Sequence, residues 1–207
     1  MHYTPERKPA VADIQHPGSL SRLPLVSRED LDEKGKRAYD DCADSSKRLH
    51  TKLEGPPGFW LHIPDLLGHV REVNWHLRNS DIGLERHLRE LTILVTAREN
   101  NSQYEWTAHE THALKAGLAP GIIDCVRQRG SIANQPAKES VIIAFGRELF
   151  RHKKVSAETY LAALDALGQQ GVVHMIALMS NYAMTAVIFH GIDQRLASGD
   201  TPLLPLP

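Results

Sequence analysis

The stretch Leu88–Gly117, LRELTILVTARENNSQYEWTAHETHALKAG, decides the fold and carries the candidate chemistry. Apolar residues recur along it with the period of an α-helix, and the polar run at 99–102 interrupts that pattern. We therefore predict two helices joined by a short break. On the second helix, a rotation of about 100° per residue places Glu105, His109 and His112 on one face.

Glu90, on the first predicted helix, falls in an apolar neighbourhood where a carboxylate is costly to leave unpaired. Arg86, four residues earlier on the same face, and His109 are its candidate partners. With Arg86 alone, Glu90 would form a purely structural ion pair. With His109, it would join a group of inward-facing titratable side chains that packing does not require, and such a group indicates a functional site.

Glu105 and His109 stand four residues apart, so they are neighbours on one helical face. A carboxylate beside an imidazole fixes the tautomer of the ring and raises its pKa, which makes an acid–base couple. The alternative is a solvated pair of little energetic consequence. Together with His112, the two residues also permit a metal site. We predict no metal, because the HExxH order is absent and one helix rarely supplies a complete ligand set.

The composition is that of an ordinary soluble protein. The chain has 207 residues, with 24 Lys and Arg against 25 Asp and Glu, so no broad positive field favours nucleic acid or anionic lipid. Cys42 and Cys125 are its only cysteines, and they form no CxxC motif. We predict a cytoplasmic protein without a signal peptide or membrane span.

The rest of the chain is also helical in pattern. Residues 1–24 are rich in proline and polar groups and predict an extended N-terminal arm, and residues 25–207 predict a single all-α domain. A helix is expected at 27–44, and another begins where Pro64 occupies a first helical position. The stretch 171–198 is apolar nearly all round, which is typical of a central helix or a contact between subunits. We expect seven to eight helices in total.

The central stretch resembles the signature of the carboxymuconolactone decarboxylase family, which includes the alkylhydroperoxidase D-type proteins. The matching features are Arg89-Glu90-Leu91, the apolar run 93–97, Tyr104-Glu105-Trp106, His109 and Ala116-Gly117. Two weaker matches are GPPGFWLHIPDL at 55–66 and NYAMTAVIFHGID at 181–193. The resemblance implies an alkylhydroperoxidase D-like helical bundle that assembles as a homo-oligomer, either a dimer, a trimer or a hexamer.

The peroxidase branch of this family uses a glutamate, a CxxC pair and a histidine as a proton relay and thiol couple. The resemblance places the glutamate on Glu90 and the histidine on His109, and it places the two thiol positions on Ser102 and Glu105. Thiolate chemistry needs sulfur, and neither position has it. An alkylhydroperoxidase-like oxidoreductase is therefore disfavoured, although a redox role of the two distant cysteines is left open.

The decarboxylase branch removes carbon dioxide from a carboxylated γ-lactone without a cofactor. On this resemblance we predict a cofactor-independent acid–base enzyme, a decarboxylase or related lyase or isomerase, acting on a small carboxylated lactone or ring compound. Its predicted catalytic residues are Glu90, Glu105 and His109. The predicted substrate-binding residues are His112, Arg86, Tyr104 and Trp106. A non-catalytic oligomeric protein that binds a small acid is a further alternative.

Overall fold

The computed structural model describes residues 15–47, 53, 55–197 and 199–205. Within them the chain forms eight α-helices, and its only β-type pairing is an isolated bridge. The helices are α1 (Glu33–Ala43), α2 (Pro56–Trp60), α3 (Pro64–Asn79), α4 (Arg86–Glu99), α5 (Gln103–Lys115), α6 (Pro120–Arg127), α7 (Ala137–His152) and α8 (Ala157–Ile192). The predicted all-α class with seven to eight helices is confirmed.

Helix α4 lies at the centre of the bundle. Every residue from Leu88 to Arg98 is buried, because α5, α7 and α8 pack around it. Such burial on all sides explains why polar members such as Thr92 and Thr96 turn their hydroxyls to carbonyls of their own helix, on Leu88 and Thr92 respectively. A charged residue on α4 therefore has to find its partner inside the protein.

The predicted break between the two central helices is confirmed. Asn101 adopts a left-handed conformation with φ of 53°, and the amide of Ser102 donates to the carbonyl of Ala97 at 2.8 Å. This turn sends α5 back along α4. At the other end of α5, Gly117 has φ of 90°, a conformation that glycine adopts without the steric penalty of a side chain.

Two predicted helices differ in detail from the structure. The helix expected to begin after Ser27 begins only at Glu33, since Asp32 is the cap that accepts from the amide of Gly35 at 2.7 Å. Before it, Arg28–Asp30 forms one 3-10 turn. The apolar helix expected over 171–198 is the second part of α8, which ends at Ile192.

The described part of the N-terminal arm contacts the C-terminal end of its own chain. The amide of Arg22 donates to the carbonyl of Ile192 at 2.7 Å, and the amide of Arg195 donates to the carbonyl of Leu20 at 2.8 Å. Residues 1–14 of the arm lie outside the described residues. The division into an arm at 1–24 and a domain at 25–207 stays a prediction.

Helix α8 is the one described helix that is long and apolar enough to cross a membrane, by length and composition only. Its most apolar window is 56% buried among the other helices, as in the core helix of a bundle. Its backbone is also interrupted at Gly168, where φ is 68° and ψ is 169°. The break divides α8 into a first part, which Ser156 caps, and the apolar second part.

Helix α7 packs against α4 and α8 at Gly146, and this close approach gives a prediction about stability. A Cβ added at Gly146 would overlap the Cγ1 of Val95 and lie 3.2 Å from the Cε of Met179. Valine has little rotamer freedom in a helix, so it cannot turn away. We expect Gly146→Ala to lower the free energy of unfolding by about 1–3 kcal/mol, measured by urea denaturation.

The matched control is Gly68→Ala on α3, where no atom lies within 4 Å of the added Cβ. Alanine is the better helix former, so this change should leave the stability unchanged or raise it by up to about 1 kcal/mol. Equal effects of the two substitutions would contradict the close packing of α7 on α4 and α8.

Candidate active site

A buried hydrogen bond joins the two central helices. The Nδ1 atom of His109 on α5 lies 2.8 Å from the Oε2 atom of Glu90 on α4. The side chains are 10% and 9% exposed. The prediction that Glu90 needs an inward partner and that His109 is a candidate for it agrees with this geometry.

The pair has a third member in Arg78, in the last turn of α3. Its Nη2 atom lies 3.7 Å from the Oε1 atom of Glu90. Burial opposes ionisation of Glu90, but the hydrogen bond from His109 and the charge of Arg78 outweigh it, so the pKa of Glu90 falls below its usual value. The charge of Arg78 therefore balances that of the ionised carboxylate.

His109 is the neutral partner in this group. Burial lowers the pKa of its imidazole below the ordinary value, although the hydrogen bond to Glu90 acts in the opposite direction. A neutral ring that donates its Nδ1–H to the Glu90 carboxylate carries its lone pair on Nε2. This Nε2 atom makes no hydrogen bond to any described residue, which leaves it available to another molecule.

Glu105 is a buried carboxyl group without a partner. The residue is 3% exposed, and neither carboxyl oxygen has a hydrogen-bond partner among the described residues. Burial raises its pKa to about 8, and the nearby Ser102 hydroxyl offsets this only in part. At neutral pH the group therefore holds its proton, and it is a potential proton donor.

Tyr182 on α8 also contributes to the site. Its ring stands edge-on to the imidazole of His109, with the centroids 5.0 Å apart. Burial raises the pKa of the phenol. The charge of Arg78 lowers this pKa and the charges of Glu90 and Glu105 raise it, each by a smaller amount. The site thus collects side chains from α3, α4, α5 and α8.

The structure pairs the predicted catalytic residues differently from the prediction. His109 is hydrogen-bonded to Glu90 across two helices, whereas Glu105 makes no hydrogen bond to His109 on their shared helix. The couple predicted between Glu105 and His109 is therefore replaced by one between Glu90 and His109. The alternative of a structural ion pair between Glu90 and Arg86 is not realised: Arg86 is exposed at the first position of α4, and Arg78 lies beside Glu90 instead.

The predicted substrate-binding residues on α5 are spread over three environments. Trp106 is completely buried, and its Nε1–H donates to Glu110 at 2.6 Å, so it is a core residue rather than a pocket wall. His112 is exposed, with its ring centroid 5.7 Å from that of His109, at the rim of the site. Tyr104 packs its ring against Phe189, with centroids 4.6 Å apart.

Tyr104 also lines a groove of about 480 Å³. The groove runs between the arm residues 17–20, one face of α5 and the segment that follows α8. None of Glu90, Glu105 and His109 lines it. This groove is therefore separate from the hydrogen-bonded pair of Glu90 and His109.

The described residues include neither a cluster of metal ligands nor an exposed cysteine. No group of three or more His, Cys, Asp or Glu side chains there is arranged to hold a metal ion. Cys42 and Cys125 are both buried and belong to different hydrophobic clusters. Burial raises the pKa of the Cys42 thiol, which opposes formation of a thiolate.

Arg78 and Tyr182 are the site residues that the sequence analysis missed. Arg78 stands in the last turn of α3, where the helix dipole favours a cation. Its position in the sequence therefore did not indicate a role in the site. Tyr182 follows Asn181 in the apolar part of α8. The signal for Tyr182 was its place in NYAMTAVIFHGID, one of the two weaker family matches.

Comparison with known proteins finds a family model that matches part of the chain and a solved structure with a similar fold. Residues 64–145, which contain α3 to α6 and the first part of α7, match the model of the Carboxymuconolactone decarboxylase family. No curated protein matches the chain. Among solved structures, the chain is similar to the alkylhydroperoxidase AhpD core of an uncharacterized peroxidase-related protein from Ralstonia eutropha JMP134. The TM-score is 0.67 at 16% identity, over 86% of this chain and 93% of that chain, and this likeness shows the fold. The chain therefore has the helical core fold of alkylhydroperoxidase D, and its segment 64–145 resembles the carboxymuconolactone decarboxylase family.

Proposed function

We propose that the protein is a cofactor-independent acid–base enzyme. Its proposed reaction is the decarboxylation, or a related lyase or isomerase reaction, of a small carboxylated lactone or ring compound. The observation that carries the proposal is the buried pair of Glu90 and His109, joined at 2.8 Å, with the Nε2 of His109 free of partners among the described residues. A neutral imidazole oriented by a carboxylate is a general base, and it becomes a general acid once it has taken a proton.

Loss of carbon dioxide needs three things from the protein. A cation has to hold an anionic group of the substrate, an electron sink has to take the electron pair of the broken carbon–carbon bond, and an acid has to protonate the carbon that is left. The sink is the conjugated carbonyl of the substrate itself. No electron is gained or lost overall, so the reaction needs no redox partner.

The described residues supply the other two functions. Arg78 is 32% exposed and lies beside the ionised Glu90, so its outer N–H groups are placed to contact a substrate carboxylate. Glu105 is protonated up to about pH 8 and provides the proton for the substrate carbon. The carboxylate left on Glu105 then regains a proton from solvent by way of His109, whose ring Glu90 orients and whose transient imidazolium it stabilises.

A thiol peroxidase of the usual kind is the weaker candidate. The two positions that the family resemblance assigns to thiols hold Ser102 and Glu105. The sulfur of Cys125 lies 3.3 Å from the carbonyl of Ser131, consistent with a structural thiol that donates to the backbone. Its burial in the main core leaves little access for a peroxide.

We further propose that the protein acts as a homo-oligomer in the cytoplasm. Val173, Met184 and Val187 lie on one face of α8 and are 60%, 38% and 67% exposed. An apolar stripe of this kind on an otherwise packed helix suits a contact with a second copy.

The function is tested by supplying a panel of carboxylated γ-lactones and ring acids to the purified protein and measuring carbon dioxide release. We expect at least one member to be turned over without added metal, flavin or thiol. A parallel assay follows hydroperoxide consumption by the wild type and by a Cys42→Ala, Cys125→Ala double variant. Cysteine-dependent peroxide consumption without carbon dioxide release would overturn the proposal, as would a ligand that binds and stays unaltered for hours.

A further inference from the structure

A second cluster of charged residues lies near the C-terminal end of α4, outside the proposed active site. Arg98 follows Glu90 by eight residues, which is about 12 Å along the helix. Arg98 is 6% exposed and forms no ion pair with a described carboxylate. A buried guanidinium without a counter-ion is costly, so its surroundings need an explanation.

The neighbours of Arg98 add positive charge instead of removing it. Its Nη1 donates to the Oδ1 of Asn101 at 3.3 Å, and the Nη2 of Arg129 donates to the same oxygen at 3.2 Å. Two guanidinium groups therefore converge on one neutral acceptor. A third arginine of the cluster, Arg151, donates two hydrogen bonds of 2.7 Å to the Glu99 carboxylate.

Glu99 is the only carboxylate that forms ion pairs with these arginines among the described residues. Its side chain is 3% exposed and is already bound at both oxygens by Arg151, and Arg129 reaches it only at 3.6 Å. Three arginines against one glutamate leave a formal charge of +2 in the cluster. The Nε of Arg98 is buried and has no hydrogen-bond partner in the described part of the chain.

We propose that Arg98 and Arg129 form a binding site for a small oxyanion, either a phosphate or a free carboxylate, beside Asn101. The planar guanidinium groups offer paired N–H donors that match the oxygens of such an anion. Arg98 is held at the buried end of the site, whereas Arg129 is 33% exposed and stands at its opening. The anion supplies the missing counter-charge. This proposal does not depend on the decarboxylase assignment.

The first test measures binding of inorganic phosphate by calorimetry and by thermal unfolding of the full chain, with chloride at equal ionic strength as the reference. We expect saturable binding and a rise in Tm of about 5 °C at saturating phosphate. Arg129→Gln removes one set of donors at the opening and should weaken phosphate binding by about tenfold or more.

A second variant, Arg98→Met, removes the buried charge and keeps an unbranched side chain. Without its counter-ion the charge destabilises the fold, so this variant should be more stable than the wild type in chloride and should gain nothing from phosphate. Arg28→Gln, which removes an exposed arginine paired with Asp40, should keep the full phosphate response.

Three results of these measurements would overturn the proposal. One is the absence of saturable phosphate binding by the wild type. Another is phosphate binding that survives in both Arg129→Gln and Arg98→Met. A third is loss of oligomers in these variants without any phosphate response, which would assign the counter-charge to a carboxylate of a second copy.

Discussion

Replacing His109 by glutamine is expected to lower kcat of the proposed decarboxylation by a factor of about 10²–10⁴. Glutamine keeps a polar group of similar reach beside Glu90, but its amide neither accepts nor releases a proton in this pH range. The measurement is carbon dioxide release at saturating substrate, with the substrate found in the panel. Because the change is in the chemistry and not in the fold, KM should move much less than kcat.

Glu90→Gln tests the orienting role in the same assay. The introduced glutamine side chain still offers an oxygen to the Nδ1–H of His109, but it no longer carries the charge that stabilises an imidazolium. We therefore expect a smaller loss of kcat than in His109→Gln, and a fall in the pKa that the rate profile assigns to the histidine. The two effects should not add in the double variant, because the residues act as one unit.

His76→Gln is the matched control for the histidine substitution. His76 lies on the outer side of α3, where its side chain is 60% exposed and faces Glu72 at 3.7 Å. Its loss should leave turnover unchanged. Wild-type turnover in His109→Gln, with normal helicity by circular dichroism, would remove His109 from the mechanism.

The sequence allowed the central helices to be predicted because their information is local. The apolar period, the polar break at 99–102 and Gly117 each act within a few residues, and the structure has helices and turns at those places. The inward position of Glu90 followed from the same period. A carboxylate among apolar neighbours on a central helix signals a partner, although not which one.

The identity of that partner depends on how the helices pack against one another. The periodicity of the sequence gives no information about this packing. Arg86 has the correct spacing from Glu90, but it stands at the first turn of α4 and is exposed. The end of α3 comes close instead and brings Arg78 to 3.7 Å from Glu90. A residue 12 positions away in the chain thus replaced one at helical spacing.

The environment of Trp106 also could not be predicted from helical periodicity. Its position beside Glu105 suggested a pocket wall, yet α5 is covered on that side too. The guanidinium carbon of Arg127 on α6 lies 5.6 Å from the centre of the Trp106 ring, and Glu110 accepts from the indole N–H. The burial of the ring comes from the packing of α6 against the central helices, which has no signature in the sequence of α5.

Glu105→Gln is expected to change the pH dependence of stability strongly. The folded protein holds the Glu105 proton up to about pH 8, whereas the ordinary value for an unfolded chain is 4.5. Between these values the folded state binds more protons than the unfolded state, so stability falls as the pH rises. Burial of this carboxyl without a partner thus destabilises the wild type most above pH 8.

Glutamine has nearly the same shape and does not ionise, so it removes this penalty. From about pH 5 to about pH 8, the wild type should lose on the order of 4 kcal/mol of stability that Glu105→Gln keeps. Near pH 5 the two proteins should be similar, since both then carry a neutral group at position 105. The measurement is the free energy of unfolding in urea at both pH values.

Glu33→Gln is the control, because Glu33 is 81% exposed on α1, where it pairs with Lys36. Its stability should follow that of the wild type across the same range. Parallel pH curves for Glu105→Gln and the wild type would show that the Glu105 carboxyl ionises in the folded protein near its ordinary pKa. It would then be unable to supply a proton at neutral pH, and the general acid of the proposed reaction would have to be His109 alone.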